Sequence, residues 1–177
     1  MVIEALHEAR VAHAFIGALP VLAWGRVRAT TDIDLVVLAT DAWPRLVDAL
    51  RRRDIVLTKR VGPAERTDAL PDIAVFHTSG VPGIRIDIAK TDFERSVVAS
   101  ARVATALDTQ VQLARPEASI IYKLLAQRRR DLDDVDSIFE ARQAAGDALD
   151  WEFLDHWAAE WGIADRLDSY KARFGPQ

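Results

Sequence analysis

The chain has 177 residues, half of them hydrophobic, and a formal net charge of −4; that length fits one compact domain with an ordinary buried core. Cysteine is absent, which excludes a disulfide scaffold, thiolate metal sites and cysteine catalysis and agrees with a reducing, cytoplasmic compartment. The acidic balance supplies no global basic field for nucleic acid, and the four histidines have no zinc-like spacing.

The first residues, MVIEALHEAR, carry charge from the fourth position and do not read as a signal peptide. The apolar run over residues 14–25 contains Gly and Pro and is too short to span a bilayer, so no membrane association is expected. The pattern predicts a helix over residues 2–12, a buried strand over 14–16 ended by Gly17, and a helix over 18–24 with Pro20 in its first turn. A polar loop over 25–31 leads into a strand over 32–38. Thr40 or Asp41 is expected to cap a helix that runs to about Arg53. A strand over 55–59 and a loop over 61–70, rich in Gly, Pro and charge, come next. Two β-rich runs, 72–77 and 84–89, are joined by TSGVPG and predict an antiparallel hairpin. A helix over 92–101 and one or two short strands within 103–113 follow. From Pro116 the pattern is helical, over 116–129, 131–145, 151–161 and 164–171. An α/β core over residues 1–115 therefore precedes a helical part over 116–177, expected to pack on that core.

The run Asp32-Ile33-Asp34-Leu35-Val36-Val37-Leu38 carries the most chemistry. Strand alternation puts Asp32 and Asp34 on one face, roughly 7 Å apart, with Ile33, Leu35 and Val37 on the other. Two carboxylates so placed can converge on hard cations. Metals about 3.5–4 Å apart clamp the attacking and leaving oxygens of an in-line phosphoryl displacement. Two ions call for a third carboxylate from a neighbouring strand, and Asp87 in Ile84-Arg85-Ile86-Asp87-Ile88 is the candidate. Taken singly, Asp87 reads as well as a strand-edge aspartate and Asp-Ile-Asp as a half-exposed strand. Three carboxylates on a sheet repel one another unless a cation neutralises them. Gly17 opens a helix after a buried strand, where main-chain N–H groups accept a phosphate. Arg28 and Thr30 lie just ahead of the carboxylates. A guanidinium there can hold a triphosphate, and the plain alternative is a solvated loop arginine with a strand-starting threonine.

Phe15-Ile16-Gly17, a spacer, and Arg28-x-Thr30-x-Asp32-Ile33-Asp34-Leu35-Val36 resemble the nucleotidyltransferase superfamily that includes DNA polymerase beta. The Arg-x-Thr-x-Asp-x-Asp form is most similar to the AbiEii-type and related bacterial nucleotidyltransferases, many of them toxins of toxin–antitoxin pairs. The resemblance covers residues 14–138. It implies an α/β (α+β) nucleotidyltransferase fold, a mixed β-sheet flanked by helices with a C-terminal helical part. It also implies Asp32, Asp34 and Asp87 as ligands of Mg²⁺ or Mn²⁺. Pro116-Glu117-Ala118-Ser119-Ile120-Ile121-Tyr122-Lys123-Leu124 and Arg130-Asp131-Leu132-Asp133-Asp134-Val135 are similar to that group's lysine helix and Arg/Lys-Asp-x-x-Asp segment. By that likeness Lys123 contacts the nucleotide phosphates, and Asp131 and Asp134 support the site. Read from the residues alone, Asp131 is a good helix N-cap and Asp134 a first-turn acid. Lys123, set between apolar pairs, either snorkels from a buried helix or reaches a cleft, and the cleft is preferred. One departure stands at Ala18, where the superfamily usually has Gly or Ser; the hydroxyl is lost and the main-chain N–H groups remain. Trp151, Trp157 and Trp161, at helical spacing, read as core or interface rather than a base-stacking platform.

The expected activity is transfer of a nucleoside monophosphate from an NTP to a hydroxyl. Asp32, Asp34, Asp87 and Lys123 are its expected catalytic groups, with Gly17, Ala18, Arg28, Thr30, Asp131 and Asp134 at the nucleotide. A tRNA end or other RNA, a protein hydroxyl and a small aminoglycoside-like molecule all suit the scaffold as acceptors, and an antitoxin protein is an implied partner. Arg26, Arg28, Arg51, Arg52, Arg53, Arg128, Arg129 and Arg130 line a local RNA groove or simply solvate helix faces. The rivals are a catalytically degenerate nucleotide- or partner-binding module, a metal-dependent phosphohydrolase, and a plain structural domain.

Overall fold

Strand-forming apolar runs alternate with short amphipathic helices through the first two thirds of the chain, and they fold in that order. The elements are α1 (Val2–Ala9), β1 (Ala12–Ile16), α2 (Ala18–Trp24), β2 (Asp32–Leu38), α3 (Trp43–Arg51), β3 (Val56–Val61), β4 (Ile73–Thr78), β5 (Val81–Ile88), α4 (Asp92–Ala99), β6 (Arg102–Ala106) and β7 (Thr109–Leu113). Four helices follow: α5 (Pro116–Ala126), α6 (Arg129–Ala145), α7 (Trp151–Glu160) and α8 (Ala164–Phe174). The structure, a computed structural model, describes residues 1–38, 41–62, 70–78, 81–106 and 109–176. The expected cap at Thr40, most of the loop over 61–70 and the hairpin tip at 79–80 lie outside those residues.

The strands form a seven-stranded sheet in the order β3-β4-β5-β2-β1-β7-β6. β2 pairs parallel to β5 and β1 parallel to β7, and the other pairs are antiparallel, so the sheet is mixed. β2 is central. Its Leu35, Val36 and Val37 are fully buried, whereas its first residues, Asp32 to Asp34, are exposed or half-buried. The carboxylates therefore stand at the open end of a strand anchored at its other end. α4 packs on β1 and β2, and α3 packs on α1 and β3. Leu6, Leu46, Leu50, Phe76, Ile84, Ile86 and Phe93 fill this core, each worth on the order of 1.5–3 kcal/mol of apolar burial.

The chain divides into two compact units, one of Met1–Leu19 with Ala29–Ala114 and the other of Pro20–Arg28 with Arg115–Gln177. The second unit thus recruits a segment from far upstream. Gly25 admits it: a Cβ there would come within 3.1 Å of Ile138 in α6. Ile120, Ile121 and Leu124 of α5 pack in this unit with Val135, Ile138 and Phe139 of α6, and Leu154 and Ala158 of α7 are buried with them. The Phe139 ring stacks on Tyr170 and Phe174 at 5.1 Å and on Trp151 at 5.6 Å. Trp151 and Trp157 are half-buried, against Phe139 and Phe153 respectively, and Trp161 is exposed.

Local chemistry moves several expected boundaries. α1 stops at Ala9 because Arg10 turns left-handed, and β1 starts at Ala12 instead of residue 14. α3 begins at Trp43 with Ala42, not Asp41, at its N-cap. α4 starts where a reciprocal cap fixes it: Thr91 Oγ1 accepts from the Glu94 N–H at 3.1 Å, and Glu94 Oε2 accepts from the Thr91 N–H at 2.9 Å. The helix expected over 116–129 breaks at Gln127, which is left-handed, and α6 begins at Arg129. Among the described residues no helix is long and apolar enough to cross a membrane.

Candidate active site

Alternation along β2 turns Asp32 and Asp34 to one face of the sheet. The threonines before them brace the first. Thr30 Oγ1 donates to the Asp32 carbonyl oxygen at 3.0 Å, and Thr31 Oγ1 donates to Asp32 Oδ2 at 3.4 Å. Ile16 of β1 is opposite Asp34, and Gly17, at φ 70°, turns the chain into α2 directly over that carboxylate. A Cβ at Gly17 would lie 3.0 Å from Asp34 Cβ and collide with Oδ2. Glycine is needed there for both its conformation and its bareness. Ala18, which follows, is buried.

On the other side of β2, the parallel register sets Gly83, Arg85 and Asp87 of β5 opposite Asp32, Asp34 and Val36. Residues so paired share a face, so Asp87 belongs to the carboxylate face, one step deeper than Asp34. It is engaged: Arg85 donates to it from Nε at 2.8 Å and from Nη2 at 3.2 Å. Burial pushes the Asp87 carboxyl above the usual carboxylate range; Arg85 opposes this and Glu94 adds to it. Among the described residues no three acidic, histidine or cysteine side chains converge as a ready ion cage. Asp32 and Asp34 form the pair, and Asp87 stands off with Arg85.

Two residues absent from the sequence reading join this face. β4 runs antiparallel to β5 with Phe76 opposite Ile84, which brings His77 beside Gly83. The position of a Cβ at Gly83 would be 3.4 Å from Asp32 Oδ1 and 3.6 Å from His77 Cε1. Strand alternation carries the signal for both, but only once the register of β4, β5 and β2 is known.

A second charged cluster lies within the second unit. Lys123 is buried there, its Nζ 2.9 Å from Asp131 Oδ1 and 3.0 Å from Asp134 Oδ2. Asp134 also accepts from Arg28 through Nε and Nη2, both at 3.1 Å, and from Arg26 at 3.1 and 3.2 Å. Asp131 accepts from Arg128 Nε at 2.6 Å. α6 begins two residues before the expected start, so Asp131 occupies its third position and takes the Arg128 N–H at 3.2 Å; it is not the N-cap. Asp134 is then in the second turn, fully buried, instead of an exposed first-turn acid. Burial alone would raise both carboxyls. Arg128 and Lys123 overcome it at Asp131, Lys123 and Arg28 overcome it at Asp134, and both carboxyls lie below the usual range. Lys123, Arg26, Arg28 and Arg128 surround the two buried carboxylates, and Arg26 also faces Asp133 at 3.7 Å.

No family model matches the chain, and no curated protein matches it in sequence. Solved structures do match its fold. The solution structure of the antibiotic-resistance factor ANT(2'')-Ia is similar over 97% of this chain and 92% of its own, at 16% identity and a TM-score of 0.58. The lincosamide antibiotic adenylyltransferase LnuA, with lincomycin bound, is similar over 77% of this chain and 91% of its own, at 12% identity and a TM-score of 0.55. An antigenic nucleotidyltransferase-like protein from Paracoccidioides brasiliensis is similar over 78% and 73%, at 18% identity and a TM-score of 0.52. The chain has the nucleotidyltransferase fold. Within it, Asp32 and Asp34 lie at the exposed start of the central strand, beside the glycine turn that ends β1.

Proposed function

We propose that the chain transfers a nucleoside monophosphate from an NTP to a hydroxyl acceptor, releasing pyrophosphate, in a reaction that needs Mg²⁺ or Mn²⁺. The observation that carries this reading is the pair Asp32 and Asp34 on one face of β2, with Gly17 packed on Asp34, in a fold shared with an adenylyltransferase. The donor set fits a hard divalent cation: two carboxylates at an exposed strand end, with no thiolate or imidazole required. Held there, such an ion would withdraw charge from phosphate oxygens. Asp87, paired with Arg85 on the same face, would be the third ligand of such an ion.

The acceptor oxygen forms a bond to the α-phosphorus as the bond to the β-phosphate bridging oxygen breaks, and the hydroxyl proton leaves to a base. Little covalent chemistry falls to the protein, so positioning and charge neutralisation carry most of the rate. Gly17 and Ala18 offer main-chain N–H groups to the triphosphate. Arg28 and Lys123 are its proposed cationic partners, and Asp131 and Asp134 hold those two cations in place. RNA such as a tRNA end, a protein hydroxyl and a small antibiotic-like molecule are the acceptor classes. LnuA acts on a lincosamide, and ANT(2'')-Ia has been solved with adenylyl-2''-tobramycin, which favours the small molecule. A toxin role, with an antitoxin partner, rests on the Arg28-x-Thr30-x-Asp32-x-Asp34 resemblance.

A second reading, a nucleotide- or partner-binding module without turnover, is favoured by two features. Ala18 lacks a hydroxyl, and Asp87 is tied to Arg85. Thermal unfolding with Mg²⁺ and each NTP, alongside pyrophosphate release, separates the two. The transfer reading expects a metal-dependent shift with at least one NTP that disappears in Asp32→Asn, together with pyrophosphate release. A shift without release selects the binding module, and activity that survives Asp32→Asn sinks the assignment.

A further inference from the structure

Gly83 sits inside β5, where glycine weakens a strand, and no left-handed backbone asks for it. Its φ lies outside the left-handed region that Gly17 and Gly62 occupy. The register of β4 against β5 shifts between Phe76 and Thr78, two steps on β4 against three on β5, so the extra residue falls at Pro82 or Gly83. Packing does not call for glycine. A Cβ there would meet Asp32 Oδ1 at 3.4 Å, His77 Cε1 at 3.6 Å and His77 Nε2 at 3.9 Å, all ordinary contact distances. Glycine within a strand accompanies a bulge or a close approach to the backbone, and with no crowding at its Cβ position Gly83 permits the second as well as the first. The approach would enter a notch floored by Gly83, with the Asp32 carboxylate on one wall and the edge of the His77 imidazole on the other.

The two flanks of the carboxylate pair differ. On the β1 side, the Gly17 main chain lies against Asp34, and the transfer reading gives that flank to the triphosphate. On the β5–β4 side, Gly83 puts no side chain between Asp32 and His77, and His77 is exposed. An in-line displacement requires the incoming oxygen and the departing pyrophosphate on opposite sides of the phosphorus. With the triphosphate on the Gly17 side, the acceptor enters from the other.

We propose that the Gly83 notch receives the hydroxyl-bearing end of the acceptor, with His77 hydrogen-bonding it beside Asp32. This rests on the nucleotidyl-transfer reading. Imidazole suits the task because one ring nitrogen donates and the other accepts, so it can hold a hydroxyl in either sense. Val56 of β3 is the residue opposite His77, so the flanking strands set an apolar residue and a glycine beside the ring.

The test follows the His77 ring signal by NMR, assigned through His77→Gln. The protein is saturated first with Mg²⁺ and an NTP, and then tobramycin, lincomycin or bulk tRNA is added. The expected result is that one of these three moves the His77 signal. Gly83→Leu, which fills the notch, should weaken that probe at least tenfold, a larger loss than it causes in the Mg²⁺–NTP thermal shift. His77→Ala, at an exposed position, should raise the acceptor KM roughly tenfold, about the worth of one hydrogen bond, and it serves alone if Gly83→Leu does not fold. A normal Mg²⁺–NTP shift with a silent His77 for all three acceptors overturns the notch, as does unchanged acceptor binding in both variants. No Mg²⁺–NTP shift in the wild-type protein overturns the transfer reading and the notch together.

Discussion

Gly17 packs on Asp34 so closely that a Cβ on residue 17 would stand 3.0 Å from Asp34 Cβ and 3.0 Å from its Cγ. With φ at 70°, the turn also occupies a conformation that costs an L-residue roughly 1–2 kcal/mol. Gly17→Ala should therefore lower the melting temperature by several degrees and displace the Asp34 carboxylate. The Mg²⁺–NTP thermal shift should shrink more than the stability loss alone explains. An unchanged shift in this variant would mean that Asp34 takes no part in holding the ion.

Lys123 is shared between two buried carboxylates, and its removal leaves Asp131 with Arg128 and Asp134 with Arg28 and Arg26. Lys123→Met should therefore cost about 1.5–3 kcal/mol in urea unfolding for each of the two charged hydrogen bonds lost. Arg28→Met leaves Asp134 with Lys123 and Arg26, so about 1.5–3 kcal/mol is expected, the range for a charged hydrogen bond. If Arg28 serves the triphosphate, its removal should weaken NTP binding out of proportion to that loss. NTP binding that falls in neither variant beyond its loss of stability would make the cluster purely structural.

The same cluster sets an acid limb. Asp131 and Asp134 titrate below the usual carboxylate range in the folded chain, so the unfolded chain takes up protons first as pH falls. Their contribution is complete above the ordinary carboxylate pKa and is lost as pH drops through the folded values. Melting curves should show this loss below about pH 4, and Asp134→Asn should flatten it.

His13 produces a second limb at higher pH. It is buried on β1, and burial pushes its imidazole down; a hydrogen bond from Nδ1 to the Val11 carbonyl opposes this and His7 adds to it. Folding thus favours the neutral ring. Stability is full above the ordinary imidazole range, falls as pH drops from about 6.5 toward the lower folded value, and then levels. His13→Phe, beside Phe15, should remove that slope. A slope that persists in the variant would belong to another group.

Much of this was legible in the residues because period-2 and period-3.6 patterns dominate. Asp32 to Leu38 and the turn to helices at Pro116 stand where alternation and punctuation put them, and β4 and β5 pair antiparallel as expected, although β5 starts at Val81 within the expected turn and not at residue 84. The α6 boundary was not, because Arg128 at the N-cap is a poor capping residue and Asp131 looked like a better one; the Asp131 carboxylate instead caps from the third position. The recruitment of Pro20–Arg28 into the helical unit has no local signal, since it depends on Gly25 meeting Ile138 across more than half the chain. Arg85, Gly83 and His77 were hidden for a related reason. Each gains meaning from its opposite number on another strand, and one residue of register decides which face it shares.

Asp87 gives the sharpest test of how far the third carboxylate belongs to the pair. Its folded pKa is raised, chiefly by burial, despite the Arg85 guanidinium. The unfolded chain therefore releases this proton first as pH rises. In EDTA-treated protein, stability should fall from the ordinary carboxylate range up to the folded value and stay level above it. Asp87→Asn should lack that decline and, at neutral pH, should match or exceed the wild-type melting temperature, because a neutral isostere suits the site better than the ion. Transfer should behave in the opposite way. If Asp87 leaves Arg85 to complete the metal set, Asp87→Asn should stop pyrophosphate release while a reduced Mg²⁺–NTP shift persists through Asp32 and Asp34. Full activity in the stabilised variant would confine the metal chemistry to the β2 pair and leave Asp87 as the counter-ion of Arg85.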